Sequence, residues 1–433
     1  MRRLNAMVAL MFAMSTSVFA QDSGATLAQN EASDLGESSV IVIKVGKVYV
    51  DSDEMLTDAM IVVRGGEIES IGDAISVPEE AKVVELGDAV VTAGLIDASL
   101  SVAAFESYSG PENETECTPD LRVLDSIDLN DPLLRRLADS GVTTVYVTAE
   151  PTAVIGPQGV LLRTAGPVGE RVIKPALGFK TTIGREPIYR SGRSQQPWDR
   201  VSHMTRRPTT RMGLVWMIRK ALHDAQAANR SESPGSSGEG APTDRALPYL
   251  QRALKGEIPI RIQARKQLDI LSALRISSEF GFKFIIEEGT DAVRCAEALK
   301  EAGASVIYGP ILAYPTGFRA GTGEVDRARY SAPLELLKSG IPMALTASDM
   351  ADEGGLARQA TYAIRCGLSR EQALAAVTTT PAKLLGLEQG AGTLAKGRSA
   401  DLVVWSGEPF EATSRPLLVL VGGKVVSDQR GEK

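Results

Sequence analysis

The sequence has 433 residues, of which 43% are hydrophobic and 23% charged, and its formal net charge is −7. This balance excludes collagen-like, coiled-coil and wholly disordered chains. The acidic charge argues against binding of nucleic acid over a basic face. The only histidines are His203 and His223, which is few for a hydrolase with a histidine-rich metal centre. The three cysteines are widely spaced without a Cys-x-x-Cys motif, so they predict neither a disulfide framework nor a zinc site.

Residues 1–20 have the pattern of a secretory signal peptide. Arg2 and Arg3 precede the short apolar run Val8–Met14, and Val18-Phe19-Ala20 resembles a cleavage site. The sequence therefore predicts an exported protein, periplasmic or extracellular. Residues 21–37 are polar and lack aromatic side chains, which predicts a disordered linker. No later segment is long and apolar enough to predict a membrane span in the mature chain.

Both ends of the remaining chain are rich in β-branched residues. Residues 38–93 contain several short β-branched runs, and Gly65-Gly66 between two of them predicts a tight hairpin. Residues 385–430 also contain short β-branched runs, and Gly422-Gly423 predicts a second tight hairpin. We therefore expect a small β-sandwich domain assembled from both chain ends, because chain ends often lie close together.

The middle of the chain, residues 94–384, alternates apolar runs with helical patterns. This alternation predicts a parallel sheet closed as a (β/α)₈ barrel, with a doubly wound open sheet as the alternative. Residues 230–245 predict a flexible insertion. The arginine-rich stretch 185–211 fits either a solvated loop or an anion-binding lip. The eight predicted strands are Gly94–Ser101, Val142–Val147, Val160–Arg163, Val172–Leu177, Ile258–Gln263, Phe282–Glu288, Ser305–Tyr308 and Met343–Ser348.

Five motifs in this order resemble the amidohydrolase superfamily, on its imidazolonepropionase-like branch. They are Val91–Asp97, Gly367–Leu374, Thr378–Leu387, Gly390–Leu402 and Gly422–Val426. The resemblance implies a distorted (β/α)₈ barrel with a small β-sandwich. It also implies metal-dependent hydrolysis of C–N bonds other than peptide bonds. Zinc or another divalent metal would activate a water at the carboxyl ends of the barrel strands.

The first half of the family's ligand pattern is altered in this sequence. The family has a His-x-His motif on the first strand, where this chain has Ser99 and Ser101. A related branch has an acidic residue or a modified lysine at the end of the fourth strand. Here Phe179 falls at the likely acidic position, and Lys174 lies a few residues earlier.

The second half of the pattern departs in the same way. Gln263 stands where the fifth strand would end in a histidine, and Glu288 replaces the histidine of the sixth strand. The family's eighth strand ends in an aspartate that is both ligand and general base. Here Ser348 is in register and Asp349 follows one position later. Hydroxyl, amide and carboxylate groups do not bind zinc as imidazole does, so we expect no metal and no other cofactor.

These substitutions leave the function and the enzymatic status open. The favoured hypothesis is a catalytically impaired or inactive member that acts as a scaffold or as a partner of an active relative, or as a homo-oligomer. One alternative is an active exported hydrolase with oxygen ligands or without a metal, for which Glu288 and Asp349 are the candidate catalytic pair. Another is a periplasmic binding protein for a small polar or anionic ligand.

Overall fold

The computed structural model describes residues 40–112, 115–189, 208–229, 245–311, 329–348 and 355–431. The predicted signal peptide and linker lie outside these residues, as do His203, Asp349 and nearly all of the predicted insertion at 230–245. In the described part of the chain, no helix has the length and hydrophobicity needed to cross a membrane.

One eight-stranded sheet contains strands from both ends of the chain. Strand β5 pairs in parallel with β1 and antiparallel with β16, and thereby joins the two halves. The order along the sheet is β18-β17-β16-β5-β1-β2-β3, and β4 pairs with β1. The strands are β1 Val40–Tyr49, β2 Met55–Arg64, β3 Glu67–Gly72, β4 Lys82–Glu85, β5 Val90–Ala93, β16 Leu402–Trp405, β17 Pro416–Val421 and β18 Lys424–Asp428.

Two glycine pairs form the predicted hairpin turns. Gly65 and Gly66 have φ values of 58° and 92°, and Gly422 and Gly423 have values of 57° and 74°. Positive φ at both central residues is the geometry that two-residue hairpins need. The two turns also touch each other, because a Cβ on Gly423 would lie 2.6 Å from the Cα of Gly66. Glycine at these positions therefore serves both the turns and the contact between the two chain ends.

Ten further strands, β6–β15, form two sheets that together follow the ring of a barrel. The first sheet has the order β10-β9-β7-β6, and the second has the order β15-β14-β13-β12-β11-β8. Strands β6 and β7 are parallel, and so are β11 to β15. The strands are β6 Leu95–Ser101, β7 Val142–Thr148, β8 Ile155–Gln158, β9 Val160–Arg163, β10 Val172–Lys174, β11 Phe179–Thr182, β12 Ile260–Ala264, β13 Phe284–Glu288, β14 Ser305–Tyr308 and β15 Met343–Leu345.

The third and fourth positions of the ring differ from the prediction. Strands β8 and β9 are separated by one residue, and they run antiparallel to β11 and β7 respectively. The predicted fourth strand, Val172–Leu177, is wrong: only Val172–Lys174 is a strand, and it pairs with β9 at the end of its sheet. The strand at the fourth position of the ring is Phe179–Thr182, which follows Gly178 at a φ of 70°. Its Phe-Lys-Thr-Thr sequence is too polar to be recognised as an apolar run.

Helices cover the outside of the ring, and the last helix closes the end at which the parallel strands begin. Leu385 and Ala382 of the last helix pack with Ile96, Tyr146 and Ile307 in one apolar cluster inside the barrel. The helices are α1 Pro132–Asp139, α2 Val168–Arg171, α3 Glu186–Tyr189, α4 Arg211–Asn229, α5 Leu247–Leu254, α6 Gln267–Phe280, α7 Ala296–Glu301, α8 Ala332–Lys338, α9 Gly355–Arg365, α10 Arg370–Val377 and α11 Thr379–Leu385. Short 3₁₀ helices span Val102–Ala104, Val123–Ser126 and Ala292–Cys295.

Asp97 joins the first and last strands of the ring. Its carboxylate accepts hydrogen bonds from Thr346 Oγ1 at 2.7 Å and from the backbone N–H of Ala347 at 3.0 Å. It also accepts the N–H of Ser99 at 3.0 Å. The backbone N–H of Ser101 donates to the carbonyl of Ser348 at 3.2 Å across the same seam. The seam between β15 and β6 is therefore held by a buried side chain in addition to this main-chain bond.

We expect Asp97→Ala to lower the free energy of unfolding by about 3 kcal/mol, because it leaves buried donors without an acceptor. Urea denaturation of the variant at pH 7 measures this loss. The matched control is Asp88→Ala, since Asp88 is exposed, and it should change the stability little. Equal stabilities of the two variants would show that Asp97 does not hold the seam.

Candidate functional site

Polar side chains alternate with apolar ones along the central strand β12. Ile260 and Ile262 belong to the large apolar cluster between the barrel and its helices. Arg261 and Gln263 alternate with them along the strand, and both are buried. Since successive side chains of a strand point to opposite faces, these two residues face the barrel interior. The inside of the barrel is therefore polar at the level where β12 crosses it.

Lys180, Arg261 and Glu287 form what we call the inner ion cluster. Nε of Arg261 lies 2.5 Å from Oε1 of Glu287, and Nζ of Lys180 lies 3.1 Å from Oε2 of the same carboxylate. The guanidinium of Arg261 also donates to the carbonyl of Ala98 and lies 3.9 Å from the centre of the Tyr146 ring. The three charged groups come from the neighbouring strands β11, β12 and β13.

The environment shifts the pKa values of two buried carboxyl groups, those of Glu287 and Asp97, in opposite directions. Burial on its own would raise the pKa of Glu287, but the positive charges of Lys180 and Arg261 outweigh it, so the pKa lies below its ordinary value. Burial raises the pKa of Asp97 despite hydrogen bonds from Thr346 and from two backbone N–H groups. Glu287 is therefore the ionised partner of the two cations.

A second group, which we call the outer ion cluster, lies nearer the carboxyl ends of the strands. It consists of Arg265, Glu186 and Glu288, and the guanidinium of Arg265 donates to both carboxylates. Nε2 of Gln263 donates to Oε1 of Glu186 at 3.4 Å. Arg265 follows β12, Glu288 ends β13, and Glu186 begins α3 after β11. Both carboxylates are thus bound to a permanent cation of the protein itself.

Two of the predicted site positions have an unusual backbone. Glu288 has a φ of 69° and Ser348 has a φ of 55°, in the left-handed region. A non-glycine residue in this region costs on the order of 1 kcal/mol, and such residues cluster at functional sites. The strain falls at the carboxyl ends of the sixth and eighth barrel strands, where the family pattern would place ligands.

The structure brings most of the predicted site residues to one end of the barrel, which we call the mouth. Ser99 and Ser101 lie near the end of β6, Gln263 on β12, Glu288 at the end of β13 and Ser348 after β15. Ser99 and Ser348 are buried, and Oγ of Ser101 accepts the N–H of Ala103. Asp349 lies outside the described residues.

Lys174 and Phe179 do not belong to the mouth, which corrects the prediction. Nζ of Lys174 donates to the carbonyl of Leu385 at 3.1 Å, at the end of helix α11. Phe179 begins β11, and its side chain packs in the apolar cluster between barrel and helices. Both were misplaced because the fourth barrel strand starts seven residues later than predicted, and Thr182 is the residue at its carboxyl end.

The sequence prediction missed five charged residues of the two ion clusters: Lys180, Glu186, Arg261, Arg265 and Glu287. A signal for two of them is present in Ile260-Arg-Ile-Gln-Ala-Arg265, where polar residues recur at every second position. In a parallel strand covered on both faces such a row must face the barrel interior. No comparable pattern marks Glu186, which lies on a short helix after the strand.

The donor atoms at the mouth do not suit zinc. No group of three or more His, Cys, Asp or Glu side chains that could hold a metal ion occurs in the part of the chain that the structure describes. His223 lies on α4 with its side chain 60% exposed, 3.8 Å from Glu279 and against Phe280. His203 falls outside the described residues.

Comparisons with known proteins point to one family. A model described as the amidohydrolase family matches residues 327–427. Amidohydrolase tasK of Hapsidospora irregularis is 25% identical over 82% of this chain, which spans only 38% of that protein. An imidazolonepropionase of Paracidovorax citrulli (strain AAC00-1) is 24% identical over 80% of this chain and 84% of its own length.

Solved structures agree with these sequence matches. An amidohydrolase from Thermotoga maritima MSB8 has a TM-score of 0.77 and 29% identity, covering 90% of this chain and 100% of its own. A prolidase complexed with N-methylphosphonate-L-proline has a TM-score of 0.56 at 18% identity, which supports the fold alone. The fold is that of a (β/α)₈ barrel with a β-domain built from both chain ends, as predicted. Together these matches support the assignment of the chain to the amidohydrolase superfamily.

The lowered pKa of Glu287 predicts a stability that depends on pH. The unfolded carboxyl group takes up a proton near its ordinary pKa of 4.5, whereas the folded one stays ionised to lower pH. The stability from Glu287 is therefore present above about pH 4.5 and lost as the pH falls through the folded pKa. Removing the charge leaves two buried cations uncompensated, so Glu287→Gln should cost about 4 kcal/mol at pH 7.

Urea denaturation of wild type and Glu287→Gln at pH 7 and at pH 3.5 tests this prediction. The difference in unfolding free energy should shrink at the lower pH, because the unfolded wild type then binds a proton at Glu287 that the folded state does not bind, whereas the glutamine variant binds none there in either state. Glu85→Gln is the control, since Glu85 is exposed and its ion pair with Lys44 should contribute less than about 1 kcal/mol. A difference that is the same at both pH values would contradict the assignment of Glu287.

Proposed function

We propose that this protein is a member of the amidohydrolase superfamily that has no catalytic metal. In this proposal it binds a small ligand at its barrel mouth and does not hydrolyse C–N bonds. The single observation that carries the proposal is Arg265, whose guanidinium is bonded to both Glu186 and Glu288. Glu288 stands at a position where the family pattern implies a metal ligand. In this chain the guanidinium group of Arg265 forms an ion pair with that carboxylate.

Charge supports the same proposal. The arginine guanidinium is always protonated in proteins, so Arg261 and Arg265 bring two permanent positive charges into the barrel. The inner ion cluster carries one carboxylate against two cations, and a divalent ion beside it would add to an existing positive charge. The two guanidinium groups thus neutralise carboxylates without a metal ion.

The remaining donors at the mouth support it as well. Ser99, Ser101 and Ser348 offer hydroxyl groups, and Gln263 offers an amide, neither of which competes with imidazole or thiolate for zinc. These residues do not fit the metal that the family implies, and we derive no step through it. A serine nucleophile would need a base within hydrogen-bond reach, and His223 is exposed on an outer helix.

The proposal predicts that the protein, expressed in zinc-supplemented medium, contains no stoichiometric zinc by elemental analysis. It also predicts no turnover of amide or lactam substrates. One equivalent of zinc per chain together with turnover would refute it.

If weak hydrolysis is found, a variant at Glu288 distinguishes a metal-free hydrolase from the proposed binding protein. If Glu288 served a metal-free hydrolase, Glu288→Ala would abolish that activity, whereas in our proposal any residual rate is unchanged by the substitution. The exposed Glu85→Ala is the matched control for loss of a carboxylate. A loss of activity confined to Glu288→Ala would make this chain a hydrolase with an oxygen-ligand or metal-free site.

A further inference from the structure

A cleft of about 290 Å³ is lined by residues of both the barrel and the β-domain, and we call it the interdomain cleft. Its walls come from the start of α1, from the segment that follows β9, from the end of α2 and from β18. A single water molecule needs only about 15 Å³ of such space. The interdomain cleft therefore has room for a small organic molecule, and none of its lining residues belongs to the mouth.

Arg171, the last residue of α2, lines this cleft with N–H groups that remain available. Its Nε donates to the carbonyl of Gly166 at 2.8 Å, and its Nη1 donates to the carbonyl of Leu129. Both acceptors are neutral, and among the described residues no carboxylate forms an ion pair with Arg171. A guanidinium group has five N–H groups, so three of them can bind a further acceptor.

A second arginine, Arg135 on α1, adds positive charge to the same cleft. Its side chain is 65% exposed, and its Nε lies 3.0 and 3.2 Å from the two carboxylate oxygens of Asp139. An exposed ion pair of this kind is weak and exchanges readily with solvent. The guanidinium group of Arg135 can therefore contribute to the attraction of a second anion.

Asp131 supplies the one carboxylate among the described residues that line the cleft, and its oxygens are already bonded. Oδ1 accepts the N–H of Leu133 at 3.0 Å, and Oδ2 accepts the N–H and the hydroxyl group of Ser107 at 3.0 and 3.1 Å. Asp131 is also only 4% exposed. The cleft thus offers donors to an anion but no accessible carboxylate to a cation.

We infer that the interdomain cleft binds a small aliphatic carboxylate, whose carboxylate group accepts hydrogen bonds from Arg171. Guanidinium and carboxylate groups are both planar, and their charge-assisted hydrogen bonds are among the strong ones in proteins. The hydrocarbon part would cover the apolar side of the cleft, formed by Ala165, Val425 and Val426. This site is separate from the mouth, so the inference goes beyond the proposed function and does not depend on it.

The apolar side of the cleft favours an organic carboxylate over a phosphate. Pro132, Ala165 and Val426 have side chains without hydrogen-bonding groups. The oxygens of a phosphate would lose water against this side without gaining partners, which is costly. A carboxylate has its oxygens at one end only, so its apolar end can meet the apolar side. A neutral amide of the same shape would lack the attraction between charges.

The test uses the full-length protein and four probes: sodium butyrate, butyramide, butylammonium chloride and sodium phosphate. Binding is measured by thermal-shift titration at pH 7 and constant ionic strength, since a ligand that binds the folded state raises its stability with concentration. We expect butyrate to raise the melting temperature with saturation. The neutral, cationic and phosphate probes should cause no saturable rise.

Variants locate the site. Arg171→Gln should weaken butyrate binding by about tenfold or more, and Arg135→Gln by about threefold, because its charge is exposed. Arg171 also bonds two backbone carbonyls, so Arg171→Lys serves as a second variant that keeps the charge and should lose less affinity than Arg171→Gln. The matched control is Arg122→Gln, since Arg122 is an exposed arginine paired with Asp125 and does not line the cleft. It should bind butyrate as the wild type does.

Several outcomes would overturn the inference. These are the absence of a saturable shift with butyrate, an equal shift with butyramide, and tighter binding of phosphate than of butyrate. Wild-type affinity in a folded Arg171→Gln or Arg171→Lys variant would also overturn it, because the carboxylate would then bind elsewhere. None of these results bears on the proposed function, which zinc content and turnover test separately.

Discussion

The interior of this barrel depends on the pairing of buried charges across neighbouring strands. A charged side chain removed from water costs several kcal/mol unless an opposite charge and hydrogen bonds compensate it. Arg261 meets this condition through Glu287 on the next strand and through the carbonyl of Ala98. The strand register fixes the match, because Arg261 is the partner of Ile285 and Glu287 lies two residues further along β13. A shift of one residue would turn every one of these groups to the other face.

The same pairing connects the fold to the chemistry of the mouth. In the family pattern a metal ion would supply the positive charge at the strand ends, and imidazole groups would hold it. In this chain Arg265 supplies a positive charge to Glu288 and Glu186. The strained backbone at Glu288 and Ser348 remains, so the mouth keeps the backbone geometry of a functional site with different side-chain chemistry.

Much of the fold could be predicted from the sequence, because β-branched runs and glycine pairs encode local structure. The hairpins at Gly65-Gly66 and Gly422-Gly423 are examples. The fourth barrel strand could not be recognised, because Lys180 and Thr182 face a polar interior and make the strand look like a loop. The predicted departures from the family's ligand pattern rest on the motifs alone. The ion pairs that fill the barrel depend on contacts between distant residues, such as Glu186 and Arg265, which no local pattern encodes.

The most direct test of the account is a crystal structure of the protein after soaking with zinc, with anomalous diffraction recorded at the zinc edge. The account predicts that Arg265 lies between Glu186 and Glu288, and that no anomalous peak occurs at the carboxyl ends of the barrel strands. An anomalous peak at the mouth, with Glu288 bound to the ion and Arg265 displaced, would contradict it.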